Sequence, residues 1–163
     1  MNTLDHDTTY LRRAIELARE AERRGNLPIG AVICLEDEII AEGLNSIWQP
    51  DVELTRHAEM EALRSVPAAL RSRLSEMTLF TTLEPCLMCA GAILLHQIGR
   101  LVFGAQDPHG GIGVTLRNLP PYFREQLEII EWRGPALSAE CDPLYARVHE
   151  LEHARGGVSH GTA

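Results

Sequence analysis

The sequence predicts one α/β domain, and three observations predict it. Short apolar runs typical of strands interleave with stretches in which apolar residues recur at helical spacing. The link between the last two strand-like runs, residues 104–126, is long enough for a parallel crossover, which needs a dozen residues or more. The chain has 163 residues and is 45% hydrophobic, enough for one sizeable core.

Leu11, Ala14, Ile15 and Ala18 recur at helical spacing with arginine and glutamate between them, which predicts an amphipathic first helix ending near Gly25. Ala31–Leu35 is an apolar run, Glu36-Asp37-Glu38 a polar turn and Ile39–Ala41 a second strand, so an early hairpin is expected. Thr55 is expected to cap a helix that runs through Arg64 and that Pro67 ends. Thr78–Thr82 is the third strand. Residues 86–96 are apolar on nearly every face, which predicts a buried helix. Leu101–Phe103 and Leu127–Trp132 are the fourth and fifth strands, expected to pair in parallel. A last helix spans roughly Ala139 to Ala154. Residues 156–163 are expected to be a disordered tail, leaving 1–155 as the single domain.

Composition narrows the function classes. No apolar run approaches the roughly 18 residues a membrane helix needs. The first eight residues lack the basic and apolar segments of a signal peptide. Two of the four cysteines form a C-x-x-C pair, while Cys34 is expected to be a small core residue on a strand and Cys141 a structural residue at a helix start. That pattern predicts reduced thiols, a metal site and a cytoplasmic location. The net charge is −8 and every basic residue is arginine. Such a chain gains little general attraction for phosphate backbones, which weighs against nucleic acid unless arginines cluster locally.

The chemistry concentrates in His57-Ala-Glu59 and Pro85-Cys86-Leu-Met-Cys89. This is the H-x-E and P-C-x-x-C signature of zinc nucleobase deaminases. Cys86 and Cys89, three residues apart on a helix, share a face, and the positive end of the helix dipole favours their thiolates. Two thiolates and one imidazole give three zinc ligands, and three protein ligands plus water is the pattern of a catalytic site. A structural zinc would need a fourth ligand, from His96, His109 or Cys141. His57 and Glu59 are two apart and can approach one site only if the motif sits at a helix start. Glu59 would then take a proton from a zinc-acidified water and deliver it to the ring nitrogen and to the leaving ammonia. One neutral histidine and two thiolates leave the zinc site formally neutral, a better Lewis acid than three thiolates would give.

The match extends beyond these residues. Leu27-Pro-Ile-Gly-Ala-Val32, Ala41-Glu-Gly-Leu-Asn45, His57-Ala-Glu59, Thr82-Leu-Glu-Pro-Cys-Leu-Met-Cys-Ala-Gly-Ala92 and Val102-Phe-Gly-Ala-Gln-Asp107 follow in this order. The chain thereby resembles the cytidine and deoxycytidylate deaminase superfamily, most of all its bacterial tRNA adenosine deaminases, over roughly residues 10–145. The resemblance implies a three-layer α/β/α fold with a five-stranded mixed sheet, one zinc per chain and a homodimer. It implies hydrolytic conversion of an amino-substituted nucleobase to the oxo form with release of ammonia, first of all tRNA adenosine to inosine. The alternative is a free base or nucleoside of guanine, adenine, cytosine or cytidine type. A third reading, from another class, is a zinc-stabilised binding module without catalysis. The resemblance further implies that the Asn45 amide hydrogen-bonds the substrate and that Asp107 lies at the mouth near the ribose. Glu84 is expected to be structural.

Some features depart from the tRNA branch, whose final helix is usually basic. Residues 137–155 here carry Arg147 and Arg155 against Glu140, Asp142, Glu150 and Glu152. Tyr122 and Phe123 either stack on a base or fill core or a dimer contact, and Arg56 either meets a phosphate or lies in solvent. Arginines converging on the zinc mouth would speak for RNA. A pocket lidded by the last helix would speak for a free base.

Overall fold

The structure, a computed structural model, describes residues 3–156. Apart from Gly156, the expected disordered tail lies outside the described residues. Helix α1 (Thr3–Arg23) leads to the hairpin of β1 (Gly30–Leu35) and β2 (Glu38–Leu44), then α2 (Ala58–Ser65), β3 (Met77–Leu83) and α3 (Leu87–Leu95). β4 (Arg100–Ala105), α4 (Pro121–Ile129), β5 (Glu131–Arg133) and α5 (Ser138–Ala154) complete the order. The strands form one mixed sheet in the order β2-β1-β3-β4-β5. β1 is antiparallel to β2 and β3, whereas β3–β4 and β4–β5 are parallel, as the long link predicts.

The period-2 pleat sends alternate residues of each strand to opposite faces. Val32, Cys34, Phe80 and Val102 pack under Leu11 and Leu17 of α1. Ile33, Leu79 and Leu101 join Ala58 and Ala62 of α2 and Ile93 and Leu94 of α3 in the larger core. α1 and α5 thus cover one face, and α2, α3 and α4 the other. Asp7, 4% exposed, pins the parallel edge to α1. Its carboxylate accepts two bonds of 2.7 Å from Arg100 and one of 3.0 Å from Arg133.

Glycine sets how closely α2 approaches the sheet. A Cβ on Gly43 would stand 2.1 Å from the Ala58 carbonyl oxygen, in the first turn of the helix that His57 precedes. Gly43→Ala is therefore expected to push α2 outward, at a cost of about 1–3 kcal/mol. Denaturant unfolding measures that loss, and a zinc titration is expected to show weaker binding because His57 moves with the helix.

Three expectations need correction, and one segment is new. Thr55 does not cap α2: it lies in an exposed turn and its hydroxyl donates to Glu53, while His57 occupies the N-cap position without a side-chain cap bond. Residues 127–129 end helix α4 instead of opening a strand. Pro120-Pro121 starts that helix, Pro being pre-organised for the first turn, and β5 keeps only three residues. Residues 68–76, unassigned from sequence, form two short 3₁₀ segments that meet at a kink at Arg73. Finally, α3 is not buried all round. Leu87 is 65% exposed and Leu95 57%, while Cys89, Ala90, Ile93 and Leu94 are buried.

Candidate active site

The site lies beyond the carboxyl ends of the parallel strands β3 and β4, where open α/β sheets hold their ligands. β3 runs through Leu83 into Glu84 and Pro85, and Cys86 is the N-cap of α3. His57, extended at φ −69° and ψ 156°, is the N-cap of α2, and Glu59 sits in that helix's first turn. The extended N-cap is what lets two residues at i and i+2 approach the same place. Helical geometry would splay them.

His57 Nδ1 lies 3.6 Å from Cys86 Sγ and 3.5 Å from Cys89 Sγ. The three ligand atoms all fall within 4.8 Å of one another, so this group could hold a metal ion. A tetrahedral zinc, with Zn–N near 2.0–2.1 Å and Zn–S near 2.3 Å, sets nitrogen and sulfur about 3.6 Å apart, so the donors already stand at zinc-binding separation. The group has three members. His96, His109 and Cys141, the conceivable fourth ligands, are not among them. Cys141 is buried against Gly104 in the first turn of α5, and Cys34 is buried on β1, as expected of a helix-start and a strand residue with structural roles.

The electrostatics suit a metal centre. The Cys86 thiol is pushed down to about 4, chiefly by the bond from Cys89, with His57 adding to the effect. Cys89 is pushed up, because it donates to Cys86 and is buried beside Glu59. Cys86 is therefore the readier thiolate of the two. His57 is raised, first by its bond to Cys86. Glu59 is 3% exposed, and burial raises its carboxyl, helped by the charge at Cys86. Its Oε2 accepts from Cys89 Sγ at 3.5 Å and its Oε1 from the Thr81 hydroxyl at 3.3 Å.

Behind these groups opens a cavity of about 190 Å³, lined by His57, Glu59, Leu83 and Cys86 together with Leu27, Ile29 and Ile47. Asp107, His109 and Gly110 form one side of its mouth, and Tyr145, Val148, His149 and Glu152 of α5 form the other. Glu84 organises the loop beneath. Its carboxylate accepts from the Asp107 amide at 3.0 Å and the Gly113 amide at 2.8 Å, so its expected structural role agrees with its contacts. Asp107 Oδ1 accepts from the backbone of His109 and Gly110 and, at 2.8 Å, from the Tyr145 hydroxyl. Asn45 is fully buried at the end of β2. Its Oδ1 accepts from the Ile47 amide at 3.4 Å, and its Nδ2 has no protein partner. A buried amide donor left in this way needs an acceptor from elsewhere. Asn45 does not itself line the cavity, although Ile29 and Ile47 beside it do.

Tyr122 and Phe123 are absent from the cavity wall. Tyr122 is exposed on α4, Phe123 packs against the core, and the two rings meet edge-on at 5.4 Å. Arg56 is half-buried and pairs with Glu61 at 3.0 Å. The sequence raises the last helix as a lid but does not name the residues it contributes. Their signal is the stripe 145, 148, 149 and 152, one helical face, which no local motif marks.

Residues 4–105 match the model of the cytidine and deoxycytidylate deaminase zinc-binding region. The chain belongs to the cytidine and deoxycytidylate deaminase family. Members of this deaminase family act as zinc-dependent hydrolases. Among its relatives is a tRNA-specific adenosine deaminase of Bacillus subtilis, 40% identical over 141 residues, 85% of each chain. The enzyme of the same name from Haemophilus influenzae is 44% identical over 142 residues, 84% of this chain and 79% of the relative. A solved structure from work on A-to-I editing by tRNA:A34 deaminases at the wobble position superposes with a TM-score of 0.63 at 42% identity. It covers 70% of this deaminase and 90% of its own chain.

Proposed function

We propose that the chain is a hydrolytic deaminase that converts adenosine in tRNA to inosine, acting in the cytoplasm through one domain, residues 1–155. The observation that carries this reading is the identity of 40–44% to tRNA-specific adenosine deaminases across most of both chains. His57, Cys86 and Cys89 would hold one zinc per chain. Zinc bound there supplies a Lewis acid that brings the pKa of a water near 7.

The chain's own residues do the rest. Glu59, with its carboxyl raised by burial, holds the proton that leaves the attacking water. It passes that proton to the ring nitrogen, and a second to the departing amine, so that one water enters and one ammonia leaves. Leu27, Ile29, Leu83 and Val148 exclude bulk water from the ring. The unpartnered Nδ2 of Asn45 offers a donor to the substrate, and Asp107 fixes the mouth. We further propose a homodimer. Leu87, Gly91 and Leu95 lie four residues apart on the outer face of α3, with open space above Gly91. Light scattering should give twice the chain mass, and a monomer at micromolar concentration would refute the dimer.

One observation favours the free base or nucleoside as a second reading: α5 walls the cavity and no arginine lines it. Ammonia release from an anticodon stem–loop, adenosine, adenine, guanine, cytosine and cytidine separates the two readings. Turnover of the stem–loop well above every small substrate is the expected result. Preference for guanine or a free nucleoside would overturn the tRNA assignment.

A further inference from the structure

α5 is fastened over the cavity from several sides. Tyr145 donates to Asp107, Arg147 pairs with Glu22 at 2.6 Å, and Arg12 pairs with Glu140 at 2.8 Å. At its end, Arg155 stacks 4.0 Å over the Trp48 ring. The helix therefore acts as a fixed wall of the site. It presents Glu152 to the cavity, half-buried; among the described residues its carboxylate makes no hydrogen bond or ion pair, and its charge acts on His57 and Tyr145 nearby.

A carboxylate is an acceptor only, and one partly withdrawn from water gains most from an N–H or O–H donor. Asp107 across the mouth adds negative charge, and no arginine lines the wall to balance it. The side chains flanking Glu152 are rings. Tyr145 and His149 meet edge-on at 4.5 Å, and His149 meets His109 at 5.5 Å. This wall suits a flat, uncharged group that carries a donor, and it repels a phosphate. The volume agrees, since about 190 Å³ lies below the roughly 300–1,000 Å³ of pockets for drug-sized ligands.

We propose that Glu152 is a specificity-determining residue, whose free carboxylate accepts a hydrogen bond from an N–H or O–H donor of the substrate and keeps phosphate out of the cavity. The inference rests on the deaminase reading for its substrate class but not on the choice of tRNA over a smaller substrate.

The test uses the zinc-loaded full chain, wild type, Glu152→Ala and Glu152→Arg. Binding of adenosine, guanine and adenosine 5′-monophosphate is measured by calorimetry, and turnover of the same compounds and of the anticodon stem–loop by ammonia release. Glu152→Ala is expected to weaken binding of the best unphosphorylated ligand about ten- to hundred-fold, carried by KM, with zinc content and melting temperature unchanged. Glu152→Arg is expected to raise the preference for the monophosphate over adenosine. Unaltered affinity in Glu152→Ala, loss of zinc in that variant, or a wild type that prefers the monophosphate would each overturn the proposal. So would failure of all three compounds to bind. A Glu152 effect on binding without any turnover would support the inference and sink the functional reading instead.

Discussion

Glu59→Gln is expected to lower the deamination rate by about 10²–10⁴-fold, the usual range for a lost general acid–base, while the zinc content stays that of wild type. Glutamine keeps the size and one oxygen of the side chain but cannot carry a proton. The place of Glu59 makes that loss hard to replace. It is 3% exposed, among the described residues its carboxylate is hydrogen-bonded to the Thr81 hydroxyl and the Cys89 thiol and to no second carboxylate, and Glu84 is occupied by the amides of Asp107 and Gly113.

The same variant has a signature in stability. Burial holds the folded carboxyl of Glu59 above its ordinary value of 4.5, so ionisation favours the unfolded chain. In the metal-free protein, the contribution of Glu59 is therefore most favourable in acid, where both states are protonated, and is lost as pH rises through the raised folded pKa. Metal-free Glu59→Gln lacks this slope. It is expected to be more stable than metal-free wild type at neutral pH, on the order of 1–3 kcal/mol, the scale of an uncompensated buried polar group. The difference should vanish below about pH 4.5, the unfolded value. Urea unfolding at several pH values measures it. Parallel pH profiles for the two proteins would contradict a buried, raised Glu59.

Metal removal carries the second large effect. Chelation, or Cys89→Ala, is expected to abolish activity and lower the melting temperature together. At a free zinc concentration a thousand times its Kd, binding stabilises by about 4 kcal/mol, which for a chain of this size is roughly 8–16 °C. The ligands come from the N-termini of two neighbouring helices, so the ion would tie the start of α2 to the start of α3. Cys34→Ala and Cys141→Ala serve as contrasts. Those thiols are buried in core packing, and their loss should cost stability without loss of zinc. Full zinc content in Cys89→Ala would remove that cysteine from the ligand set.

Much of this centre is legible in sequence because its parts are local. C-x-x-C after a proline puts two thiols on one helical turn, and H-x-E at a helix start brings an imidazole and a carboxylate together. The hairpin and the parallel crossover follow equally from nearby residues and link length. Thr55 misled because its capping preference is a weak local effect, whereas His57 is drawn to the N-cap by its place opposite two sulfurs. Leu127 to Ile130 read as a strand because an apolar stretch this short suits either element. The paired prolines at 120 and 121 were the stronger signal. A lid from the last helix could be raised from sequence, but its residues Tyr145, Val148, His149 and Glu152 could not be named. Their position over the zinc ligands depends on how the chain turns back after β5, more than fifty residues after Cys89.

Water labelled with heavy oxygen tests the central claim most directly. The zinc-loaded chain is incubated in it with the substrate that releases ammonia fastest, and ammonia and oxo product are counted together. The expected result is one ammonia per product, the label at the carbon that bore the amine, and loss of both when zinc is removed or Glu59 is replaced by glutamine. An unlabelled product, or ammonia release that survives removal of zinc, would contradict a hydrolytic deaminase built on His57, Glu59, Cys86 and Cys89.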